Sequence, residues 1–316
     1  MEKKALRRAF ADKLEEMAAF RKDLFVVTSD ARGSVGLDHF FERFPEQSVE
    51  AGIAEMNSVG IASGLASCGC KVFCCGPACF LSARSLEQIK VDVAYNQSNV
   101  VIVGVSGGVS YGPLGYTHHS LHDIAVMRTF PNLNVIIPSD AVQMEKLTER
   151  LCDITTPAYV RIGRNPVQTI YKADASFQIG KANVIFEGGD VLVIACGETV
   201  AGAAEACVSL KKDGINAALL DLHTIKPLDT GTIASYAKKA SLIVTVEEHS
   251  VYGGLGGAVS EFIAQNFAVR TKIMGIPDEI PITGNSEEVF KYYGLDAGGI
   301  YKGITDYLKT RNVQTV

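Results

Sequence analysis

The chain has 316 residues, 47% of them apolar, which is enough to bury large cores in two domains and excludes a disordered protein. A net charge of −5 and a pI near 5.7 argue against nucleic-acid or anionic-membrane surfaces as partners. No apolar run reaches the length of a membrane span, and residues 1–8 open an amphipathic helix in place of a signal peptide, so a soluble cytoplasmic protein is expected.

Apolar residues recur at helical spacing from 3 to 20 and predict an amphipathic helix. The apolar run 24–28 suits a buried strand. It ends in the polar turn 29–34, and strand ends are where α/β sheets place ligands. An extended lead-in then turns at Gly52 into a helix of small residues with Glu55 in its first turn. An acid there is favoured by the helix dipole whatever else it does. Gly60, Ser63, Gly64 and Ser67 leave one flank nearly bare, and glycine inside a helix costs about 1 kcal/mol against alanine. A close neighbour is therefore expected along that flank, in this chain or in another subunit.

Five of the eight cysteines fall at positions 68, 70, 74, 75 and 79. Their spacing matches neither zinc nor ferredoxin sites. Residues 71–75 read as a buried strand, where cysteine acts as a small hydrophobe, so reduced core thiols are expected in place of a metal or redox centre. A helix through 86–95, entered near Phe80, precedes a strand at 100–105. The glycine-rich loop 106–120 and its edge carry His118, His119 and His122, three of the six histidines. With no acid or thiol at ligand spacing, a hydrogen-bonding or proton-transfer role at a pocket mouth competes only with that of ordinary loop histidines.

A strand at 133–137, a helix at 140–152 and a strand at 158–162 continue the alternation of a parallel α/β sheet. Residues 165–177 lack periodicity, open with Pro166 and read as a linker. A second α/β unit follows, with strands at 191–196, 217–222 and 242–246. The glycines at 253–257 open a helix there. They lack the lysine or ribose-binding acid of a phosphate loop, and tight packing explains them as well. Two domains are expected, 1–170 and 171–316.

Three motifs stand out together: Gly52-Ile53-Ala54-Glu55, Thr117-His118, and Thr224-Ile225-Lys226-Pro227-Leu228-Asp229 followed by Glu247-Glu248-His249. With them the chain, from about residue 5 to 312, closely resembles the C-terminal half of transketolase in the form encoded as a separate subunit. The resemblance implies an α/β pyrimidine-binding domain of thiamine-diphosphate enzymes on a parallel sheet, followed by a smaller C-terminal α/β domain. It implies two-carbon ketol transfer from a ketose phosphate to an aldose phosphate.

By position, Glu55 resembles the glutamate that hydrogen-bonds N1′ of the aminopyrimidine, so that the 4′ nitrogen can take a proton from C2 of the thiazolium. The cofactor supplies the carbanion chemistry and the protein the placed acid. Phe80, with Phe73 as the lesser candidate, matches the aromatic residue against the pyrimidine. Arg84 matches an arginine pointing toward the site, with an ion pair to Glu87 or another surface acid as its plain alternative. His118 matches the histidine near the reacting C2 and the substrate carbonyl, able to donate a hydrogen bond to a developing alkoxide. Arg161 and Arg164 match a strand-end segment that holds a substrate-phosphate arginine, and the alignment does not choose between them.

Two departures matter. Leu114 stands where an aspartate usually meets a sugar hydroxyl, and an apolar side chain cannot make that contact. A branched, deoxy or otherwise modified ketose is therefore expected. His119 replaces the usual glutamine and adds a titratable group. The chain also lacks a Gly-Asp-Gly run followed by an asparagine at the spacing that holds magnesium and the diphosphate. The resemblance thus implies that Mg2+ is held by an N-terminal-half subunit, in an α2β2 heterotetramer with active sites at subunit interfaces. The rivals are the beta subunit of a 2-oxo acid dehydrogenase, a deoxyxylulose-phosphate synthase fragment and a non-catalytic partner subunit. The first shares the glutamate and the domain order, but the motifs at 117–119 and 224–229 sit better with transketolase.

Overall fold

The computed structural model describes residues 3–309. Its organising layer is a seven-stranded sheet in the order Thr224–Lys226, Asn134–Ile136, Ala158–Ile162, Val100–Val105, Lys71–Pro77, Leu24–Thr28 and Ser48–Glu50. All neighbours run parallel except the first pair. The central strands are buried at every position, as continuous apolar runs covered by helices on both faces must be.

The two faces sort the side chains by parity. In Lys71–Pro77, Val72 and Cys74 enter one core with Val59, Ala62, Ile89 and Val93, from the helix Glu55–Ser67 and the π-helical turn Ile89–Tyr95. Phe73 and Cys75 enter the opposite core with Phe10 and Leu14 of Leu6–Phe20 and Met144 and Leu147 of Ala141–Asp153. Cys74 and Cys75 are thus packing residues, and burial pushes both thiols up, Cys74 to about 12.

A five-stranded sheet follows, ordered Arg270–Ile276, Leu242–Ser250, Val191–Ala195, Ala217–Asp221 and Asn183–Phe186, with only the last strand antiparallel. The core beneath the Glu55 helix runs on without a break into Leu192, Ile194, Leu220, Leu255 and Val259 of this second unit. The two sheets are joined by packing as well as by chain.

Three elements differ from expectation. Lys3–Ala5 is a strand paired with Pro166–Gln168, so the first helix starts only at Leu6 and the linker is not featureless. Thr224–Lys226 leaves the second unit and closes the edge of the first sheet against Asn134–Ile136. The expected helix at 86–95 is preceded by a separate helix, Ala78–Arg84, which brings Phe80 and Arg84 to the carboxyl edge of the sheet.

Candidate active site

The loops that leave the carboxyl ends of the parallel strands surround one cleft of about 450 Å3. Ser29, Asp30, Ala31 and Ser34 follow Leu24–Thr28; Ile53 and Glu55 follow Ser48–Glu50; Phe80 and Arg84 follow Lys71–Pro77. Tyr111, Leu114 and His118 come from the loop after Val100–Val105, and Arg164 lies just past Ala158–Ile162. Five strands therefore feed one site.

Glu55 is the first residue of its helix and is buried. Arg84 Nη1 donates to Glu55 Oε1 at 2.7 Å, a charge-assisted bond. Among the described residues no hydrogen bond reaches Oε2, which leaves one carboxylate oxygen for a ligand. The Arg84 guanidinium lies 4.2 Å from the centroid of the Phe80 ring, a cation–π contact that fixes both groups. Phe80 meets the His118 ring at 5.2 Å, edge to face. On its other side His118 meets Tyr111 at 5.4 Å, and Arg164 covers Tyr111 at 5.2 Å. Thr117 Oγ1 lies 2.9 Å from His118 Nδ1, which holds the ring's orientation. One wall thus runs from the acid through an aromatic face and an imidazole to a guanidinium.

Leu114 lines the same cleft with 54% of its surface exposed. Two residues that sequence reasoning passed over also belong here. Tyr111 backs His118 and Arg164; only its place in a glycine-rich loop at a strand end pointed to it. Glu50 ties the rim: Thr28 Oγ1 donates to its Oε2 at 2.9 Å, and the Asp30 and Gly52 amides donate to Oε1 at 2.7 and 3.1 Å.

Two candidates lie elsewhere. Phe73 is fully buried, its ring 5.9 Å from that of Phe10, on the face of the sheet that the Glu55 helix does not cover. Strand parity sends it there. Arg161 is also buried, inside Ala158–Ile162, with Nε 3.5 Å from Asp123 Oδ2 and Nη2 donating to the Glu248 carbonyl at 2.6 Å. Its fork is consumed by protein partners, so of the two arginines only Arg164 faces the cleft. His119 is buried behind the loop with Nε2 3.2 Å from the Gly112 carbonyl, and burial lowers its pKa. Arg84 pairs with Glu55; the cation near Glu87 is Lys90, at 3.9 Å.

Residues 2–169 match the family model described as the transketolase pyrimidine-binding domain, and residues 180–300 match the transketolase C-terminal domain. The chain belongs to the transketolase family. It is 53% identical to an apulose-4-phosphate transketolase subunit of Phocaeicola vulgatus, over 96% of this chain and 98% of that one. It is 32% identical to the 6-deoxy-6-sulfo-D-fructose transketolase subunit SqwH of a Clostridium species, over 99% and 97%. Among solved structures it resembles a split gene transketolase described as an inactive beta4 tetramer, with a TM-score of 0.86, 32% identity and coverage of 96% and 98%. The first two relatives are named as transketolase subunits, and the match to all three runs over nearly the whole of each chain.

The residues present fit half of a thiamine-diphosphate site. A buried carboxylate with one open oxygen and an aromatic ring stand on the cleft wall, matching an aminopyrimidine's donor and its flat face. Among the described residues no group of three His, Cys, Asp or Glu is disposed to hold a metal.

Proposed function

We propose that this chain, joined to an N-terminal-half subunit, transfers a two-carbon ketol unit between sugar phosphates, with Glu55, Phe80, His118 and Arg164 as the working wall. The observation that carries this reading is the unbroken line from the Glu55 carboxylate across Phe80 and His118 to the Arg164–Tyr111 pair, within one cleft at the carboxyl edge. Thiamine diphosphate, when bound, supplies the carbanion chemistry. Glu55 Oε2 would hold a proton at N1′ of the aminopyrimidine and Phe80 would pack against its ring, while Arg84 keeps the carboxylate in place. His118 donates a hydrogen bond to the substrate oxygen as negative charge gathers there. Arg164, exposed to the cleft, takes the sugar phosphate. The diphosphate and its Mg2+ fall to the other subunit, in an α2β2 complex of the cytoplasm. We place the boundary between the two units at 170/171.

Leu114 sets the sugar. A leucine on the cleft wall leaves a hydroxyl at that place without a partner and favours a substrate with a branch, a deoxy carbon or another substituent there. Relatives named for apulose-4-phosphate and 6-deoxy-6-sulfo-D-fructose support a modified sugar.

The test is to isolate the chain from its own cells with its partner, then assay ketol transfer with a panel of ketose phosphates, including apulose 4-phosphate, and with pyruvate. Turnover of a modified ketose phosphate without decarboxylation of pyruvate is expected. Decarboxylation of pyruvate in place of ketol transfer would sink the reading.

A further inference from the structure

The loop 106–120 carries Tyr111, Leu114 and His118, yet its footing lies largely in the other unit. Val109 and Leu121, at its two ends, are buried in the core of the second sheet among Val191, Val193, Leu242 and Val244. Gly108 and Ser120 clamp the ends together: the Gly108 amide donates to the Ser120 carbonyl at 3.0 Å, and the Ser120 amide donates back at 2.7 Å. The Val109 amide donates to Glu248 Oε1 at 2.7 Å, wholly out of water. Ser286 Oγ donates to the Val109 carbonyl at 3.4 Å.

Glu248 comes from Leu242–Ser250 and is held in turn. Arg161 Nη2 lies 3.5 Å from Glu248 Oε2 and donates to the Glu248 carbonyl, while Arg161 Nε faces Asp123, which also accepts from Tyr159 Oη at 2.6 Å. The loop backbone lies flat on this ion pair. A Cβ at Gly107 would fall 2.1 Å from Arg161 Nε, and one at Gly108 2.2 Å from both Arg161 Nη2 and Glu248 Cδ. Gly108 also has φ +60°, so two independent constraints require glycine there. Farther along, a Cβ at Gly112 would fall 2.6 Å from the Gly284 carbonyl oxygen.

We infer that the second unit is a positioning device for the substrate loop, with Glu248 as the positioning residue and Arg161 as its counter-ion. Glu248 touches neither cofactor nor sugar; it fixes where the loop leaves the sheet and so where His118 and Leu114 stand. A buried backbone donor that loses its charged acceptor has no water to replace it, and the loop must move to find one. The assignment of sugar contacts to this loop rests on the function proposed above. The anchoring itself does not.

The experiment uses the assembled complex with its partner and follows hydrogen exchange over 106–120 beside steady-state kinetics. In Glu248→Ala, exchange over 106–120 should quicken about tenfold while Leu24–Thr28 stays unchanged. KM for the ketose phosphate should rise about tenfold, and thiamine-diphosphate affinity should stay within about twofold, because Glu55 and Phe80 stand on other elements. Glu248→Gln keeps an oxygen for the Val109 amide and should restore most of the KM. Where Glu248→Ala does not fold, Gly107→Ala decides, since its methyl lifts the loop off Arg161 with both charges intact; it should reproduce the same exchange and KM pattern. Unchanged exchange over 106–120, or equal losses in cofactor affinity and KM, would overturn the inference. If the wild-type complex performs no ketol transfer, the proposed function fails and the exchange data alone still judge the anchor.

Discussion

Leu114 and Arg164 line one cleft with an apolar side chain and a charge, and the proposed function gives that end of the cleft to the sugar phosphate. Leu114→Asp places an acceptor at that point of the cleft wall, so under the proposed function preference should move about tenfold toward ordinary ketose phosphates, measured as a ratio of kcat/KM values. An unmoved ratio would remove Leu114 from the specificity account. Arg164 stacks on Tyr111 and lines the cleft, half-buried, whereas Arg161 is locked among Asp123 and Glu248. Arg164→Gln should therefore raise KM for phosphorylated sugars about tenfold with little loss of folded protein. If phosphorylated and unphosphorylated sugars suffered alike, Arg164 would not be the phosphate ligand. The sequence shows why Glu55 and His118 could be picked out: each sits in a motif whose neighbours define its place. The two arginines could not be separated because they straddle a strand end, and one or two residues of uncertainty in that end exchanges a core position for a cleft position. Phe73 was obscured for a related reason. In a strand apolar on both faces, alternation leaves no polar side to mark parity.

The helix Glu55–Ser67 presents a stripe of Met56, Gly60, Gly64 and Ser67 to solvent. A Cβ at Gly60 or Gly64 meets nothing within 4 Å, so within this chain those glycines answer to no packing need. Met56 on the helix, with Ile53 and Tyr95 in the neighbouring segments, are exposed large apolar residues. Gly60→Leu should thus raise the stability of the isolated chain by about 1 kcal/mol through helix propensity while blocking a close helix contact between subunits. Sedimentation should show assembly with the partner lost although the thermal midpoint of the lone chain rises. Normal assembly would show that this flank is not an interface. The long periodic elements were plain in the sequence, but Lys3–Ala5 and Thr224–Lys226 were not. Three residues carry too little pattern to announce a strand, and both owe their form to distant partners, Pro166–Gln168 and Asn134–Ile136.

Across the whole molecule, burial collects titratable groups where the two sheets meet. Burial pushes Glu247 and Glu248 up to about 7 and Asp221 to about 6, and Glu198 well above its ordinary range. The same cause pushes His223 and His249 down to about 4. The raised acids bind more protons folded than unfolded; for Glu247 and Glu248 the added stability is full below the unfolded value near 4.5 and is lost as pH climbs through 7. The histidines act oppositely, losing stability as pH falls from their ordinary 6.5 toward 4. Above pH 6.5 the histidine contribution is full and no longer varies with pH, so the acids decide. The thermal midpoint of the chain should fall between about pH 6.5 and 7.5, and Glu247→Gln should flatten that fall. A midpoint that climbs across this window would contradict the assignment. The continuous core beneath the Glu55 helix makes this a property of one folding unit, so the fall should appear as a single transition.

The central claim is that Glu55 serves the cofactor in a complex completed by another chain. Its most direct test compares ketol transfer by the wild-type and Glu55→Gln complexes, each assembled with the partner and matched for thiamine-diphosphate content. Retained assembly with turnover lowered about a hundredfold or more is expected, since a placed proton-holding group contributes on that scale. Near-normal turnover in the glutamine variant would contradict the account.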